Sequence, residues 1–179
     1  MKTRDMVYIG IFTAIITICS WISIPFTVPF TLQTFAVFLA VLLLGGKCGT
    51  IAVLVYILLG TVGIPVFSGF KGGIGVLLGP TGGYIIGFIA TALIMWAFEH
   101  FRSDNKTVYP VISMLTGLLA CYAFGTVWFF RVYNNGTDTP ASVSVILGWC
   151  VVPFIIPDLI KIFLAFLISR NIAVKKIMQ

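Results

Sequence analysis

Residues 6–24 read MVYIGIFTAIITICSWISI, an apolar run that contains no charged side chain. A helix needs about 20 such residues to cross a hydrocarbon core roughly 30 Å thick, so this run predicts a transmembrane helix over Met6–Ile24. Lys2 and Arg4 before it give the start of the chain the form of a secretory signal peptide. However, the run is longer than a typical signal core and no small-residue cleavage site follows it. We therefore expect this segment to be the first membrane span.

The composition of the whole chain extends this expectation. Of its 179 residues, 60% are hydrophobic and 9% are charged, whereas soluble domains carry about 25% charged residues. A soluble domain of about 150 residues still exposes roughly 30% of its unfolded surface, which this chain would have to cover with apolar groups. The composition therefore predicts an integral membrane protein in contact with the lipid bilayer, formed as a single transmembrane domain over residues 1–179.

Two functional classes find no support in the charged and cysteine residues. The net charge is +6, but the basic residues stand singly or at the ends of apolar runs. No nucleic acid partner is expected, because no basic stripe with interleaved aromatics is present. The four cysteines are widely spaced, form no CxxC pair and have no accompanying histidines, so neither a metal site nor redox chemistry is expected. The four are Cys19, Cys48, Cys121 and Cys150.

Five further apolar segments follow the first. Two of them have only about 15 residues each and are separated by the turn Gly45-Gly46-Lys47, so they are either tilted spans or a hairpin that enters the membrane and returns. The last segment is interrupted by Pro153 and Pro157, which favour a break in a helix. We therefore expect an all-α bundle of six transmembrane helices. The five segments are Phe30–Leu44, Cys48–Val62, Thr81–Phe98, Val108–Phe130 and Val145–Ile168.

The basic residues predict the orientation of this bundle. With six spans and both termini in the cytoplasm, only Lys71 and Arg131 fall outside the cell and Lys161 lies within a span. The excess of basic residues on the inner side agrees with the positive-inside rule. A re-entrant hairpin at the second and third segments leaves both termini on the same side. The inner set is Lys2, Arg4, Lys47, Arg102, Lys106, Arg170, Lys175 and Lys176.

The segment 69–83, GFKGGIGVLLGPTGG, contains seven glycines in fifteen residues. Glycine permits positive φ and lets the main chain approach a ligand closely. Irregular backbone near a membrane persists where it is buried in protein or lines a cavity. The segment lacks the GxxxxGK[ST] pattern of a phosphate-binding loop. It is either a tightly packed loop before a helix or a cover over a binding site.

Residues 155–168, IIPDLIKIFLAFLI, place two ionisable side chains in an apolar helix. Asp158 and Lys161 are three residues apart and therefore share a helix face. Charged groups inside a bilayer are costly and usually face the protein interior in pairs at functional sites. Pro157 suits the first turn of a helix, which would place Asp158 near the positive end of the helix dipole. The alternative is a self-satisfied ion pair that only orients helix packing.

Other polar or small residues are weaker candidates taken singly. Gln33 begins the second segment, and its buried amide needs partners. Tyr56 and Tyr84 lie in the third and fourth segments, where ordinary packing is the simpler interpretation. Gly10 and Ala14 form a small-xxx-small pair that would let another helix approach closely.

Three stretches of this sequence resemble the BioY family, the biotin-binding S components of energy-coupling-factor (ECF) transporters. They are VPFTLQTFAVFLAVLLLGGKCG (28–49), YILLGTVGIPVFSGFKGGIGVLLGPTGGYIIGF (56–88) and PDLIK (157–161). The resemblance runs from about Ile24 to the C-terminus in order and spacing. It implies a six-helix membrane bundle with a biotin pocket near the outer surface and no enzymatic activity.

The resemblance also implies roles for individual residues. Asp158 and Lys161 would hydrogen-bond the polar groups of biotin, and the glycine-rich segment would cover it. In one respect the chain departs from the pattern: some relatives have an arginine after the GGY tyrosine, where this chain has Ile85. The ligand carboxylate would then need Lys71, Thr81 or loop N–H groups. The remaining implied binding residues are Gln33, Tyr56, Phe67, Gly72, Gly73, Thr81, Gly83 and Tyr84.

The partners implied by the resemblance are a transmembrane coupling protein and cytoplasmic ATPases in the cell membrane. Gly10 and Ala14 match the face of the first helix that would dock on the coupling protein. The chain itself has no phosphate-binding loop, so only the partner subunits would use ATP and the chain needs no cofactor. Three alternatives are an S component for another small vitamin, a small membrane channel or structural subunit, and an intramembrane hydrolase. The hydrolase is disfavoured because no predicted span contains a histidine base.

Overall fold

A computed structural model of the chain describes residues 2–100, 108–137 and 139–170. The basic residues Arg102, Lys106, Lys175 and Lys176, which contribute to the predicted orientation, lie outside these ranges. Within them the chain forms α-helices and one pair of two-residue strands. The helices are long and apolar, and many of their large side chains are exposed on the outside of the bundle. Such a surface suits lipid, because lipid tails are as apolar as these side chains.

The first helix, α1, spans Thr3–Trp21. The Asp5 carboxylate accepts a hydrogen bond of 2.9 Å from the Lys2 N–H and places a negative charge in the first turn, where the helix dipole favours it. The hydroxyls of Thr13 and Thr17 donate to carbonyls one turn earlier, at 2.8 and 2.9 Å. Their polar groups are thereby satisfied inside the apolar bundle.

The predicted bounds of the first span, Met6–Ile24, and the predicted start of the second, Phe30, are each wrong by three residues, whereas the predicted end of the second at Leu44 is confirmed. α1 ends at Trp21, and strand β1 (Ser23–Ile24) pairs antiparallel with strand β2 (Phe30–Thr31). Pro25 and Pro29 lie in the connection between the strands. Proline lacks the N–H that a helix needs, and the residue before it avoids the helical conformation. The apolar residues after Trp21 therefore leave the helix, although their hydropathy favours a continued span.

The two short helices form a hairpin. α2 (Gln33–Leu44) and α3 (Gly46–Thr61) meet at Gly45, whose φ of 81° favours glycine. A Cβ at Gly46 would lie 2.2 Å from Cδ1 of Trp96, so the Trp96 ring packs directly against the turn. The Glu99 carboxylate accepts the Gly46 N–H at 2.8 Å. These contacts join the hairpin turn to the final turn of the next long helix.

Residues 62–81 connect α3 to the next long helix, α5 (Gly82–His100), and are called the glycine loop. It contains an unpredicted short helix, α4 (Ile74–Leu78), and a tight turn in which Phe67 and Lys71 exchange backbone hydrogen bonds of 2.9 and 3.3 Å. The sequence predicted only irregular backbone here, because glycines indicate turns and α4, at five residues, is too short to give a helical pattern between them.

The helices α5 (Gly82–His100) and α6 (Val108–Asn135) pack closely along their length. Small residues permit this approach: a Cβ at Gly125 would lie 2.2 Å from Cδ1 of Tyr84, and one at Gly87 would lie 2.9 Å from Sγ of Cys121. Glycine at such positions lets membrane helices approach at backbone distance. α6 extends five residues beyond the predicted end at Phe130.

The last apolar segment is broken, as predicted. α7 (Val143–Cys150) is followed by a 3₁₀ turn at Val152–Phe154 and by α8 (Ile155–Arg170). Pro153 lies in the turn, and Asp158 lies in the first turn of α8. The prediction of a broken final helix with Asp158 at the start of its second half is confirmed.

Four helical segments in the described part of the chain are long and apolar enough to cross a membrane by length and composition. Two shorter apolar helices, α2 and α3, accompany them. The prediction of a helical membrane protein is confirmed at this level. The four are Thr3–Trp21, Gly82–Glu99, Val108–Asn135 and Val143–Arg170.

Candidate functional site

One cavity of about 350 Å³ lies between the glycine loop, the start of α2, the α5–α6 pair and the break before α8. This volume falls within the 300–1,000 Å³ typical of small-molecule sites. Its walls are mainly apolar, and its polar groups are few. The lining includes Val28, Thr31, Gln33, Phe67, Lys71, Thr81, Tyr84, Ile85, Phe88, Leu118, Cys121, Tyr122, Cys150, Phe154, Asp158 and Lys161.

The buried charged groups of the cavity wall are those of the first turns of α8, whereas Lys71, which also lines the cavity, is exposed. Nζ of Lys161 lies 2.7 Å from Oδ1 of Asp158, and the two residues are 4% and 3% exposed. Nζ also donates to the Thr31 carbonyl at 2.7 Å and lies 4.2 Å from the centre of the Phe30 ring. Each charge therefore has partners inside the protein, which is the condition for stable burial of ions.

A tyrosine that the sequence did not indicate completes this cluster. The Tyr122 hydroxyl, on α6, donates to Oδ2 of Asp158. Both carboxylate oxygens consequently receive a hydrogen bond from the protein, while a carboxylate offers about four acceptor positions. The positions left over are available to a molecule in the cavity.

A second polar pair lies beside the start of α2. The Gln33 amide donates from Nε2 to the Tyr56 hydroxyl, and the Gln33 backbone N–H donates to the Thr31 hydroxyl at 3.2 Å. The Tyr56 ring makes an edge contact with Phe67 at a centroid distance of 5.6 Å. This set of contacts holds the start of α2 against the glycine loop.

The wall formed by α5 and α6 is held by Tyr84. Its hydroxyl lies 2.9 Å from the Thr126 hydroxyl, and its ring lies against Gly125. The thiol of Cys121 donates to the Tyr84 carbonyl at 3.6 Å. The ring is therefore placed by polar contacts at one end and by close packing along its side.

A sequence model of the BioY family matches residues 1–178. The chain belongs to the BioY family. It is 43% identical to the biotin transporter BioY of Thermotoga maritima over 94% of this chain and 95% of that protein. It is 40% identical to the probable biotin transporter BioY of Pyrococcus horikoshii, over 96% and 98% of the two chains.

A solved structure agrees with the BioY assignment. It is that of the S-component for biotin from an ECF-type ABC transporter, 29% identical, with a TM-score of 0.83 over 97% of this chain and 94% of that chain. The family and its named members are transporters rather than enzymes. With its long apolar helices, this BioY chain is a multi-pass protein of the cell membrane.

Six of the ten residues that the BioY resemblance assigns to biotin are brought together around the cavity. They come from α2, the glycine loop, α5 and α8, and the largest sequence separation among them is more than 120 residues. That they contact a ligand remains a prediction. The six are Gln33, Phe67, Thr81, Tyr84, Asp158 and Lys161.

The other four lie outside the cavity lining. Tyr56 is fully buried behind Gln33 and Phe67, and its hydroxyl accepts a hydrogen bond from the Gln33 amide. A Cβ at Gly72 would lie 2.4 Å from the Ile64 carbonyl, and one at Gly83 would lie 2.3 Å from Cβ of Trp128. Gly73 has φ of 96° and begins α4, with its N–H donating to the Gly60 carbonyl at 2.7 Å. In this structure these residues shape the loop and the helix packing around the cavity.

Proposed function

We propose that this chain binds biotin with high affinity and takes it up across the cell membrane as the S component of an ECF-type transporter. The observation that carries the proposal is the buried Asp158–Lys161 pair on the wall of a mainly apolar cavity. The biotin-transporting relatives and the structural neighbour support the same substrate.

The chemistry of the pair suits the ureido group of biotin, which offers two N–H donors and one carbonyl acceptor. Asp158 has acceptor positions beyond those used by Lys161 and Tyr122. Among the described residues, two oxygen atoms accept hydrogen bonds from the Lys161 ammonium, which has three N–H groups. One donor therefore remains for the ligand carbonyl.

The rest of the ligand needs apolar walls and a partner for its carboxylate. Phe67, Tyr84 and Phe88 supply aromatic surface for the fused rings and the aliphatic chain. Lys71 and Thr81 line the cavity from the glycine loop, whereas Ile85 offers the carboxylate no polar group. We assign the carboxylate to Lys71 and Thr81, with the ureido group at Asp158 and Lys161.

The expected affinity is compatible with such a site. Nanomolar binding corresponds to about −12.3 kcal/mol. Biotin has roughly 16 non-hydrogen atoms, so each contributes about −0.8 kcal/mol, within the range of small ligands held in closed sites.

We further propose six transmembrane helices with both termini in the cytoplasm, the short helices α2 and α3 being two of the six. Two contacts support this arrangement. Gly46, at the α2–α3 turn, contacts the final turn of α5 at Glu99, while the Trp128 indole donates to the Gly79 carbonyl at 3.0 Å. The α2–α3 turn therefore lies beside the end of α5, and the residues just before α5 lie beside the later part of α6. Helices that cross the membrane in alternating directions require this grouping. The positive-inside rule then places the glycine loop and the cavity at the outer surface.

Uptake requires partners, and we propose a transmembrane coupling protein with cytoplasmic ATPases that alone use ATP. Gly10 and Ala14 are exposed on α1, and among the described residues no atom beyond the neighbouring backbone of α1 lies within 4 Å of a Cβ built at Gly10. A helix of the coupling protein can approach this open face closely.

Calorimetry of the purified protein in detergent tests the proposal. We expect tight binding of biotin at one site per chain. Tight binding of another small vitamin together with no binding of biotin would show that the substrate assignment is wrong.

A further inference from the structure

We propose that Trp21 is a positioning residue that holds the glycine loop over the cavity and thereby slows release of the ligand. The inference rests on the proposed function, because it concerns the same site, but its structural part has its own test. Trp21 is the last residue of α1 and lies outside the cavity lining.

Three contacts join the end of α1 to the glycine loop. The Trp21 indole N–H donates to the Pro65 carbonyl at 2.9 Å, and its ring stacks on Phe70 with centroids 4.9 Å apart. The hydroxyl of Ser20, which is fully buried, donates to the Val66 carbonyl. Two of these contacts belong to one side chain, so Trp21 alone determines much of the attachment.

The stack on Trp21 holds Phe70 in an unfavourable backbone conformation. Phe70 has φ of 57°, and among the described non-glycine residues no other has positive φ. Bulky residues rarely adopt such φ values, and they persist where surrounding contacts hold them. Phe70 is 65% exposed, so burial in the protein core does not hold it. The Trp21 ring is the aromatic partner that keeps this turn in place.

The turn held by Trp21 is also part of the cavity wall. Phe67 and Lys71 bond to each other across the turn through their backbones, and both residues line the cavity. Ser68, which precedes Gly69 (φ of 71°) and Phe70, lines it as well. A ligand enclosed beneath the turn leaves more readily when the turn detaches from α1. Loosening the attachment should therefore raise the dissociation rate.

The experiment measures dissociation of tritiated biotin, chased with excess unlabelled biotin, from purified full-length variants. Trp21→Leu loses both the stack and the hydrogen bond, so we expect dissociation roughly tenfold faster or more. Trp21→Phe retains an aromatic ring without the N–H donor and should give roughly a threefold increase. Trp149→Leu is the matched control, since Trp149 is 37% exposed and has an aromatic contact with Tyr133 at 5.8 Å, outside the cavity lining.

The fraction of protein that binds biotin separates positioning from a folding defect. A loosened turn keeps the full binding capacity while dissociation accelerates, whereas misfolding lowers the capacity. Dissociation from Trp21→Leu and Trp21→Phe at the rate of Trp149→Leu overturns the inference and leaves the proposed function intact.

A second readout needs no ligand. Hydrogen exchange of the amides at Phe67 and Lys71 should be faster in Trp21→Leu than in Trp149→Leu, because both amides are bonded within the held turn. Equal exchange in the two variants overturns the inference. If the wild-type protein binds no biotin, the proposed function fails, and this exchange comparison alone decides whether Trp21 holds the turn.

Discussion

Replacing Asp158 by asparagine keeps the shape of the side chain and removes its charge. In the folded protein the carboxylate accepts hydrogen bonds from Lys161 at 2.7 Å and from Tyr122. An asparagine amide has one acceptor oxygen and two N–H donors. One of the two protein donors would then face an N–H group, and so would a ureido N–H bonded to the oxygen that the amide nitrogen replaces.

The expected loss of affinity follows from the charge of the acceptor. A hydrogen bond to a charged group contributes about 1.5–3 kcal/mol, and each 1.4 kcal/mol is a factor of ten. Loss of one such bond to biotin therefore weakens binding roughly 10- to 150-fold. Removing one member of a buried ion pair also destabilises a protein by about 3–5 kcal/mol, so folding must be measured separately.

The double variant Asp158→Asn/Lys161→Met separates these two effects. It leaves no unpaired charge, so ligand-free thermal unfolding should recover toward the wild-type temperature, while biotin binding should remain weak in calorimetry. Unchanged biotin affinity in Asp158→Asn would refute our reasoning and leave the pair with a purely structural role. Wild-type affinity in the double variant would refute it equally.

Three other substitutions probe the carboxylate end, the docking face and the cavity wall. Lys71→Gln should weaken biotin about two- to fivefold and leave biotin methyl ester unchanged in calorimetry, because the exposed lysine attracts only the ionised ligand; equal losses for both ligands would contradict the carboxylate assignment. Ala14→Leu should leave binding unchanged in detergent but lower biotin uptake by cells that contain the partner subunits; normal uptake would exclude this docking face. Gly125→Ala should push the Tyr84 ring into the cavity, destabilise the protein by about 1–3 kcal/mol and weaken binding. Gly148→Ala is its control, because no atom of the described residues beyond the neighbouring helix backbone lies within 4 Å of a Cβ there. Equal behaviour of the two variants would show that the α5–α6 contact is not tight.

The helical architecture could be predicted because lipid imposes a simple condition on the sequence: apolar runs must be helical to satisfy their backbone groups. The broken last helix was predictable for a similar reason, since Pro153 cannot donate a helical hydrogen bond. The strand pair after Trp21 was not predictable, because its residues are as apolar as those of α1. Hydropathy reports the solvent around a residue and does not distinguish these two backbone conformations.

The candidate site was only partly predictable, because some of its residues are far apart in the sequence and meet only when the helices pack. Asp158 and Lys161 stand out because charge inside an apolar helix is costly wherever the helix packs. Tyr122 does not stand out, because a tyrosine within a helix usually indicates packing, and its partner Asp158 is 36 residues away. Tyr56 was expected in the wall and lies behind it, since its depth depends on how α2 and α3 pack.

The position of Trp21 on α1 has a mechanical consequence. Gly10 and Trp21 are eleven residues apart, which places them about 16 Å apart along the axis and on nearly the same side of the helix. If a docked helix tilted α1 by about 10° around Gly10, Trp21 would move by roughly 3 Å. That displacement is comparable to the whole 2.9 Å separation between the indole nitrogen and the Pro65 carbonyl oxygen. If the coupling protein docks at Gly10 as proposed, α1 would thus transmit a tilt at Gly10 to the contacts that Trp21 makes with the glycine loop.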